Sequence, residues 1–182
     1  MRQPSAIRGL IGCLAIILAV AAPRSAAPAA KNLAHLTFAG VISEADRHYL
    51  GLEKSAPFSL QDIKAPYILL EIMRTGCPHC VDQTPAMNQL HKLVANSHLK
   101  DKVKIIAVGE GDQAGALARF KAAHKVSFAM VPDPGWEIGT AFKIQGTPTT
   151  VVLDKHGNVL LTEVGVFNSA AGMFNRLKGK VK

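Results

Sequence analysis

The sequence predicts an α/β fold in which a central mixed β-sheet is flanked by helices. An almost unbroken apolar run at residues 66–73 is typical of a central strand that is covered on both faces. Beyond it, Met87, Leu90 and Val94 recur at helical spacing, so the chain changes from strand to helix. Two later strand-like runs flank a turn sequence at residues 154–158, which predicts an antiparallel hairpin after the parallel strands.

The first 30 residues predict an export signal. Arg2 and Arg8 form a basic start, residues 10–22 form an apolar centre, and Ala, Ser and Pro dominate residues 23–30. The apolar run is shorter than the ~20 residues that span a bilayer, so a cleaved signal is favoured over an uncleaved membrane anchor. We therefore expect an exported protein, in the periplasm or at the outer face of the cytoplasmic membrane, where disulfide chemistry persists.

Residues 31–57 are predicted to be an N-terminal extension and residues 58–182 the main domain. The extension predicts a short strand at 33–38 and a helix that begins near Ser43. The main domain predicts a short strand or turn at 58–63 that leads into the core strand.

The elements after the first long helix continue the α/β pattern. Asp112 is predicted to cap a helix whose buried face carries Leu117 and Phe120. The other predicted elements are a buried strand at 103–108, an extended segment at 126–131, a turn at 132–135, helical turns at 136–142, hairpin strands at 149–153 and 159–164, and a helix at 169–177.

Cys77 and Cys80 form a C-x-x-C motif where the core strand gives way to a helix. The first N–H groups of a helix lack partners and its dipole adds partial positive charge, so a thiolate on Cys77 is stabilised there. Pro78 suits the first helical turn, and His79 can place a positive charge beside the sulfurs. Cys80, one turn later, is the expected resolving thiol of a redox-active dithiol.

Cysteine count and charge exclude several classes of protein. The chain has three cysteines, Cys13 and the 77/80 pair, which are too few and too closely spaced for a disulfide framework. The formal net charge is +8, but the lysines are scattered, so no nucleic-acid partner is expected. Membrane contact is expected only through an uncleaved N-terminal segment.

Metal binding is the main alternative for the two cysteines. Zinc normally takes four ligands, and His91 and His98 are seven positions apart instead of the usual three to five. We therefore predict neither a metal nor another cofactor. A chaperone that carries copper on the two thiolates stays open as a different class of function.

Glu71 lies inside the apolar core strand without any alternation around it. It could face a solvated edge, but Leu70 and Ile72 favour burial. A buried carboxyl has a raised pKa and can accept or release a proton. We hypothesise that Glu71 relays the proton of Cys80 during thiol exchange.

Over residues 58–177 the chain resembles the thioredoxin superfamily. Besides the cysteines after a strand, Pro85 lies eight residues after Cys77 and Glu71 six residues before it, and Thr147-Pro148 precedes the hairpin. The resemblance implies a thioredoxin-like fold, a buried acid at Glu71 and a cis bond before Pro148. Such a bond would leave the Thr147 backbone free to pair with a substrate strand beside the sulfurs.

Residues 58–63, 109–112 and 148–154 resemble the exported TlpA/ResA-like branch of that superfamily, whereas the Pro-His pair between the cysteines resembles the oxidase DsbA. Gly76 stands where relatives usually carry an aromatic residue. The resemblance implies a thiol–disulfide oxidoreductase that acts on cysteines of other exported proteins and on a redox partner protein. Oxidation and reduction both stay open. Trp136 is predicted to be a packing residue.

Overall fold

The computed structural model describes residues 33–34, 36–167 and 169–182. The predicted export signal lies outside these residues. The strands are β1 (Thr37–Phe38), β2 (Phe58–Ser59), β3 (Tyr67–Met73), β4 (Val103–Glu110), β5 (Ala129–Asp133), β6 (Thr149–Asp154) and β7 (Val159–Val164). The helices are α1 (Glu44–Leu50), α2 (Pro78–Ala95), α3 (Ala114–Ala123), α4 (Glu137–Phe142) and α5 (Ala170–Lys178).

The main sheet has five strands in the order β5-β4-β3-β6-β7. The central strand β3 is parallel to β4 and antiparallel to β6, and the β6-β7 pair forms the predicted hairpin. The mixed sheet predicted from the sequence is therefore confirmed. The carboxyl ends of β3, β4 and β5 lie at one edge of the sheet, where α2 begins.

Both faces of the sheet are covered, which explains why β3 reads as a continuous apolar run. On one face, Leu69 and Met73 pack with Met87 and Leu90 of α2 and with Met173 of α5. On the opposite face, the alternate β3 residues pack against the extension, α1 and α4. Glu71 lies two positions from Leu69 and two from Met73, so it points to the same face, toward α2.

The N-terminal extension adds to the core. β1 pairs with β2, and the rings of Phe38 and Phe58 stack with centroids 5.0 Å apart. The side chain of Ser43 caps α1 as predicted. The strand predicted at 33–38 is wrong for its first part, because the Leu36 N–H donates to the Leu33 carbonyl at 2.9 Å and closes a turn there.

The turn predicted at 132–135 is wrong for its first two residues, since Pro132 and Asp133 still belong to β5. The buried Asp133 carboxylate accepts hydrogen bonds from the backbone N–H groups of Glu137 and Ile138, both at 3.0 Å, and so caps α4. This cap fixes the path of the chain immediately before Trp136.

Among the helices of the described residues, none has the length and apolar character that crossing a membrane requires.

Candidate active site

The two cysteines occupy the start of α2. Cys77 is the N-cap residue and Pro78 the first helical residue, as the sequence predicts. The carbonyl of Cys77 accepts hydrogen bonds from the N–H groups of Cys80 and Val81, both at 3.1 Å, which closes the first turn. Both residues carry free thiols.

The Cys77 thiol faces a loop that is distant in the chain. Its Sγ lies 3.4 Å from the carbonyl oxygen of Thr147, and the Thr147–Pro148 peptide bond is cis. Cys77 is half-buried, whereas Cys80 is completely buried in the core between the sheet and α2. A partner sulfur therefore reaches Cys77 first.

The two thiols have opposite pKa shifts. Burial acts to raise the pKa of Cys77, but hydrogen bonds from the Thr147 side chain, from Cys80 and from the N–H groups of Cys80 and His79 outweigh it, and the net pKa is lowered. Burial, followed by the hydrogen bond with Cys77, raises the pKa of Cys80 to about 12. At neutral pH the thiolate therefore forms on Cys77, the nucleophile expected from the sequence.

Pro78 and His79 are exposed on the first turn of α2. His79 lies between the two cysteines in the chain, and its backbone N–H donates a hydrogen bond to Cys77. The helix continues past Pro85, and the Thr84 hydroxyl donates to the Cys80 carbonyl at 2.8 Å.

Glu71 is buried, as expected, and it lies on the sheet face that carries α2. Its Oε1 accepts a hydrogen bond of 2.7 Å from Nε2 of Gln83, which is also buried and lies one turn after Cys80. Gln83 Oε1 accepts in turn from the Phe167 N–H at 3.0 Å. Burial raises the pKa of Glu71 to about 7, although the Gln83 hydrogen bond acts to lower it.

Thr150 lies directly opposite Glu71 in the β3–β6 register. Its buried hydroxyl has no hydrogen-bond partner among the residues that the structure describes. Directly opposite residues in an antiparallel pair point to the same face, so this hydroxyl is a second polar group beside the carboxyl.

Asp112 does not cap α3, contrary to the sequence prediction, because Gln113 is the N-cap residue. Its carboxylate instead accepts hydrogen bonds from the backbone N–H and the hydroxyl of Thr75, at 2.7 and 2.6 Å. Thr75 is two residues before Cys77. Asp112 therefore anchors the loop that delivers the reactive thiol to the start of the helix.

A shallow cavity of about 410 Å³ opens beside Cys77. Besides Gly76, Cys77 and Thr147, its lining is a wall formed by Arg74, Glu110, Gly111, Asp112 and Trp136. Arg74 Nε lies 3.3 Å from Oε2 of the buried Glu110. Burial raises the pKa of Glu110, while Arg74 acts to lower it. Trp136 is not the simple packing residue that the sequence predicts, since 41% of its surface is exposed.

The described residues contain no group of three or more His, Cys, Asp or Glu side chains that could hold a metal ion. A metal at the two cysteines would therefore have the thiolates as its only protein ligands from this set. The arrangement is suited to exchange between thiols and disulfides, with one accessible and one protected sulfur.

Sequence reasoning did not identify Gln83, Asp112 or Trp136 as site residues. Their partners are Glu71, Thr75 and Arg74, which belong to other elements of the fold. A buried acid in a strand does require a hydrogen-bond partner, so the one signal available was that Glu71 needed a donor.

Comparison with known proteins places the chain among redox proteins. The family model described as Redoxin matches residues 24–178. The thiol-disulfide oxidoreductase ResA of Halalkalibacterium halodurans is 27% identical over 106 residues, which are 58% of each chain. The chain spans little more than half the length of curated relatives such as this one.

Solved structures show the same fold. A thiol:disulfide interchange protein DsbE from Chlorobium tepidum, described as putative in its structure, superposes with a TM-score of 0.58 at 22% identity, over 79% of this chain and 88% of that chain. A thioredoxin-like protein from Aeropyrum pernix gives a TM-score of 0.55 at 21% identity, over 69% and 84%. The thioredoxin-like fold and the resemblance to the ResA-like branch are confirmed.

The raised pKa of Glu71 predicts how stability depends on pH. A carboxyl whose pKa rises from 4.5 to about 7 on folding holds its proton more tightly in the native state. Below about pH 4.5 the carboxyl is neutral in both the folded and the unfolded state, so it carries no penalty. As the pH rises from there to about 7, the unfolded state releases its proton first, and the free energy of unfolding falls by roughly 3 kcal/mol in total. Glu71→Gln removes this loss, so urea unfolding of the variant should change less between pH 5 and 8.

The exposed Glu53 provides the control, because Glu53→Gln should leave the pH dependence of the wild-type protein unchanged. Equal pH dependence of the wild type and Glu71→Gln would contradict the assignment.

Proposed function

The chain belongs to the Redoxin family, and from this premise we propose that it is an exported thiol–disulfide oxidoreductase. Cys77 and Cys80 exchange disulfides with cysteines of other exported proteins, and a redox partner protein restores the pair. The observation that carries the proposal is the asymmetry of the thiols. Cys77 is accessible with a lowered pKa, and Cys80 is buried one turn away with a raised pKa.

In the reducing direction, the Cys77 thiolate attacks one sulfur of a substrate disulfide. A bond forms between Cys77 and that sulfur, the substrate disulfide breaks, and its second sulfur leaves as a thiolate that takes up a proton. Cys80 then loses its proton and attacks the Cys77 sulfur, which releases the first substrate sulfur as a thiolate. The substrate gains two electrons and two protons, and the oxidising direction reverses these steps.

The proton of Cys80 needs an acceptor, because a thiol with a pKa of about 12 does not ionise unaided at neutral pH. Glu71 has a pKa of about 7 and faces the layer that contains Cys80. Gln83, on the same helix as Cys80, holds one carboxyl oxygen of Glu71. Glu71 acts as the general base that takes this proton while the disulfide forms.

Substrate binding uses the loop opposite the thiol. The Thr147 carbonyl lies 3.4 Å from Cys77 Sγ, so a chain that pairs with the Thr147 backbone would bring its own cysteine next to Cys77. Pro78 and His79, which follow Cys77 in the chain, are both exposed. Export rests on the N-terminal segment, which lies outside the described residues.

Exchange assays with a disulfide-bonded protein substrate test the proposal. The wild-type protein should reduce or oxidise the substrate, and Cys77→Ser should abolish exchange because the nucleophile is lost. Cys80→Ser should accumulate a mixed disulfide through Cys77, visible by mass spectrometry. A reduction potential near about −120 mV would identify an oxidant, and one near about −270 mV a reductant.

The copper-chaperone alternative gives a different result in the same preparation. Stoichiometric Cu(I) that survives dialysis, together with absent exchange, would replace the oxidoreductase proposal.

Replacing the proposed base should slow turnover. Glu71→Gln keeps the shape of the side chain but cannot take a proton, so the exchange rate at pH 7 should fall at least about tenfold. The loss should shrink at alkaline pH, where hydroxide assists ionisation of Cys80. Glu53→Gln serves again as the matched control, and an unchanged rate across the pH range would refute the relay.

His79 should tune the reduction potential. A protonated imidazole beside the sulfurs stabilises the thiolate, and therefore the reduced form, so the disulfide becomes more oxidising. His79→Ala should lower the reduction potential by about 10–20 mV, a modest shift because the side chain is exposed. His98→Ala, at an exposed position beyond the far end of α2, should not change it. A potential that rises in His79→Ala would contradict this role.

A further inference from the structure

Trp136 is exposed, although large aromatic side chains are usually buried to a high degree. It is the single tryptophan of the chain. Among the described residues, the other large apolar side chains that are exposed are all valines. The indole borders the same cavity as Cys77 and Thr147. An exposed aromatic surface therefore lies beside the reactive sulfur.

Several contacts hold the indole in this position. The Arg74 guanidinium carbon lies 4.0 Å from the ring centroid, and Arg74 is fixed in turn by its ion pair with Glu110. A Cβ atom at Gly111 would lie 3.1 Å from the indole, and Gly111 has φ +75°, so a glycine is required for this close packing. The wall formed by Arg74, Gly111 and Trp136 is therefore preorganised.

The backbone of Trp136 is strained. Its φ is 62° and its ψ is 21°, a left-handed conformation that a bulky residue rarely adopts. Such strain persists where surrounding structure enforces it, and it is concentrated at functional sites. Here the Asp133 cap of α4 and the Arg74 contact enforce it.

The indole, Gly76 and the Cys77 sulfur line the same cavity. A Cβ atom built on Gly76 meets no atom within 4 Å. Both carboxylates of the wall already have partners, since Glu110 pairs with Arg74 and Asp112 accepts two hydrogen bonds from Thr75. The exposed part of the indole is an apolar surface in this wall, so it favours an apolar group of a substrate over a charged one.

We propose that Trp136 is a specificity-determining residue for thiol–disulfide exchange. This inference rests on the proposed function and names the substrate class, which is polypeptide segments with an aromatic or large aliphatic side chain beside the reactive cysteine. That side chain packs against the exposed part of the indole. The contact holds the substrate sulfur over Cys77, while the redox chemistry of the dithiol itself does not depend on it.

The test uses two disulfide-linked peptides that differ only in Phe or Gly beside the cysteine, together with oxidised glutathione as a small disulfide. The wild-type protein should prefer the Phe peptide, and Trp136→Ala should lower its rate constant about fivefold. The rates with the Gly peptide and with glutathione, and the reduction potential, should stay unchanged. Trp136→Phe should retain most of the preference.

Val159→Ala is the matched control, because Val159 is an exposed apolar residue at the opposite end of the sheet. It should keep the preference for the Phe peptide. The inference alone would be overturned if Trp136→Ala kept the preference for the Phe peptide. It would also be overturned if this variant lowered the glutathione rate by the same factor as the Phe-peptide rate, or shifted the reduction potential. Wild-type protein that exchanges with none of the three disulfides would overturn the proposed function and the inference with it.

A second measurement does not depend on how Trp136→Ala folds. In Cys80→Ser, a peptide is trapped as a mixed disulfide on Cys77 while the single tryptophan stays in place. Its fluorescence should shift when the Phe peptide is trapped and should stay unchanged with the Gly peptide. Equal spectra for both trapped peptides would overturn the inference.

Discussion

The thiol of Cys77 and the carbonyl of Thr147 lie 3.4 Å apart, although 70 positions separate them in the chain. Their proximity depends on β3, which is paired with β4 on one side and with β6 on the other. Because β6 runs antiparallel to β3, the beginning of β6 lies at the edge where β3 ends and α2 begins. This strand order creates the site, since it brings a helix N-terminus and a loop backbone to the same sulfur.

The difference between the two sulfurs follows from one helical turn. Cys77 is the residue before the first turn and stays half-buried, while Cys80 lies on the inner face and is covered by the core. The same burial that raises the pKa of Cys80 also raises that of Glu71, so an acid of intermediate strength lies in the layer that holds the protected thiol. Local helix geometry and the dry interior together assign different tasks to chemically identical groups.

Much of this arrangement is predictable from short-range patterns. The apolar run of β3, the helical spacing of α2 and the turn chemistry of the hairpin define the fold, and the C-x-x-C motif locates the reactive pair. The roles of Asp112 and Trp136 are not predictable in this way. Asp112 is predicted to cap a helix because it lies between a glycine-containing turn and a helical segment. The hydrogen bonds that it accepts from Thr75, 37 positions away, exist only in the folded protein. Trp136 is predicted to pack in the core because it is large and aromatic, whereas its exposure depends on the tertiary structure.

The bridge through Gln83 has a consequence for how acidity can change in related chains. The Phe167 N–H occupies the amide oxygen of Gln83, so only the amide nitrogen can turn toward Glu71, and Gln83 acts as a donor alone. A donor favours the ionised carboxyl. The pKa of Glu71 therefore depends partly on the connection between β7 and α5, which holds the Gln83 amide in place. A substitution in that connection would change the pH at which the buried carboxyl ionises without altering any reacting atom.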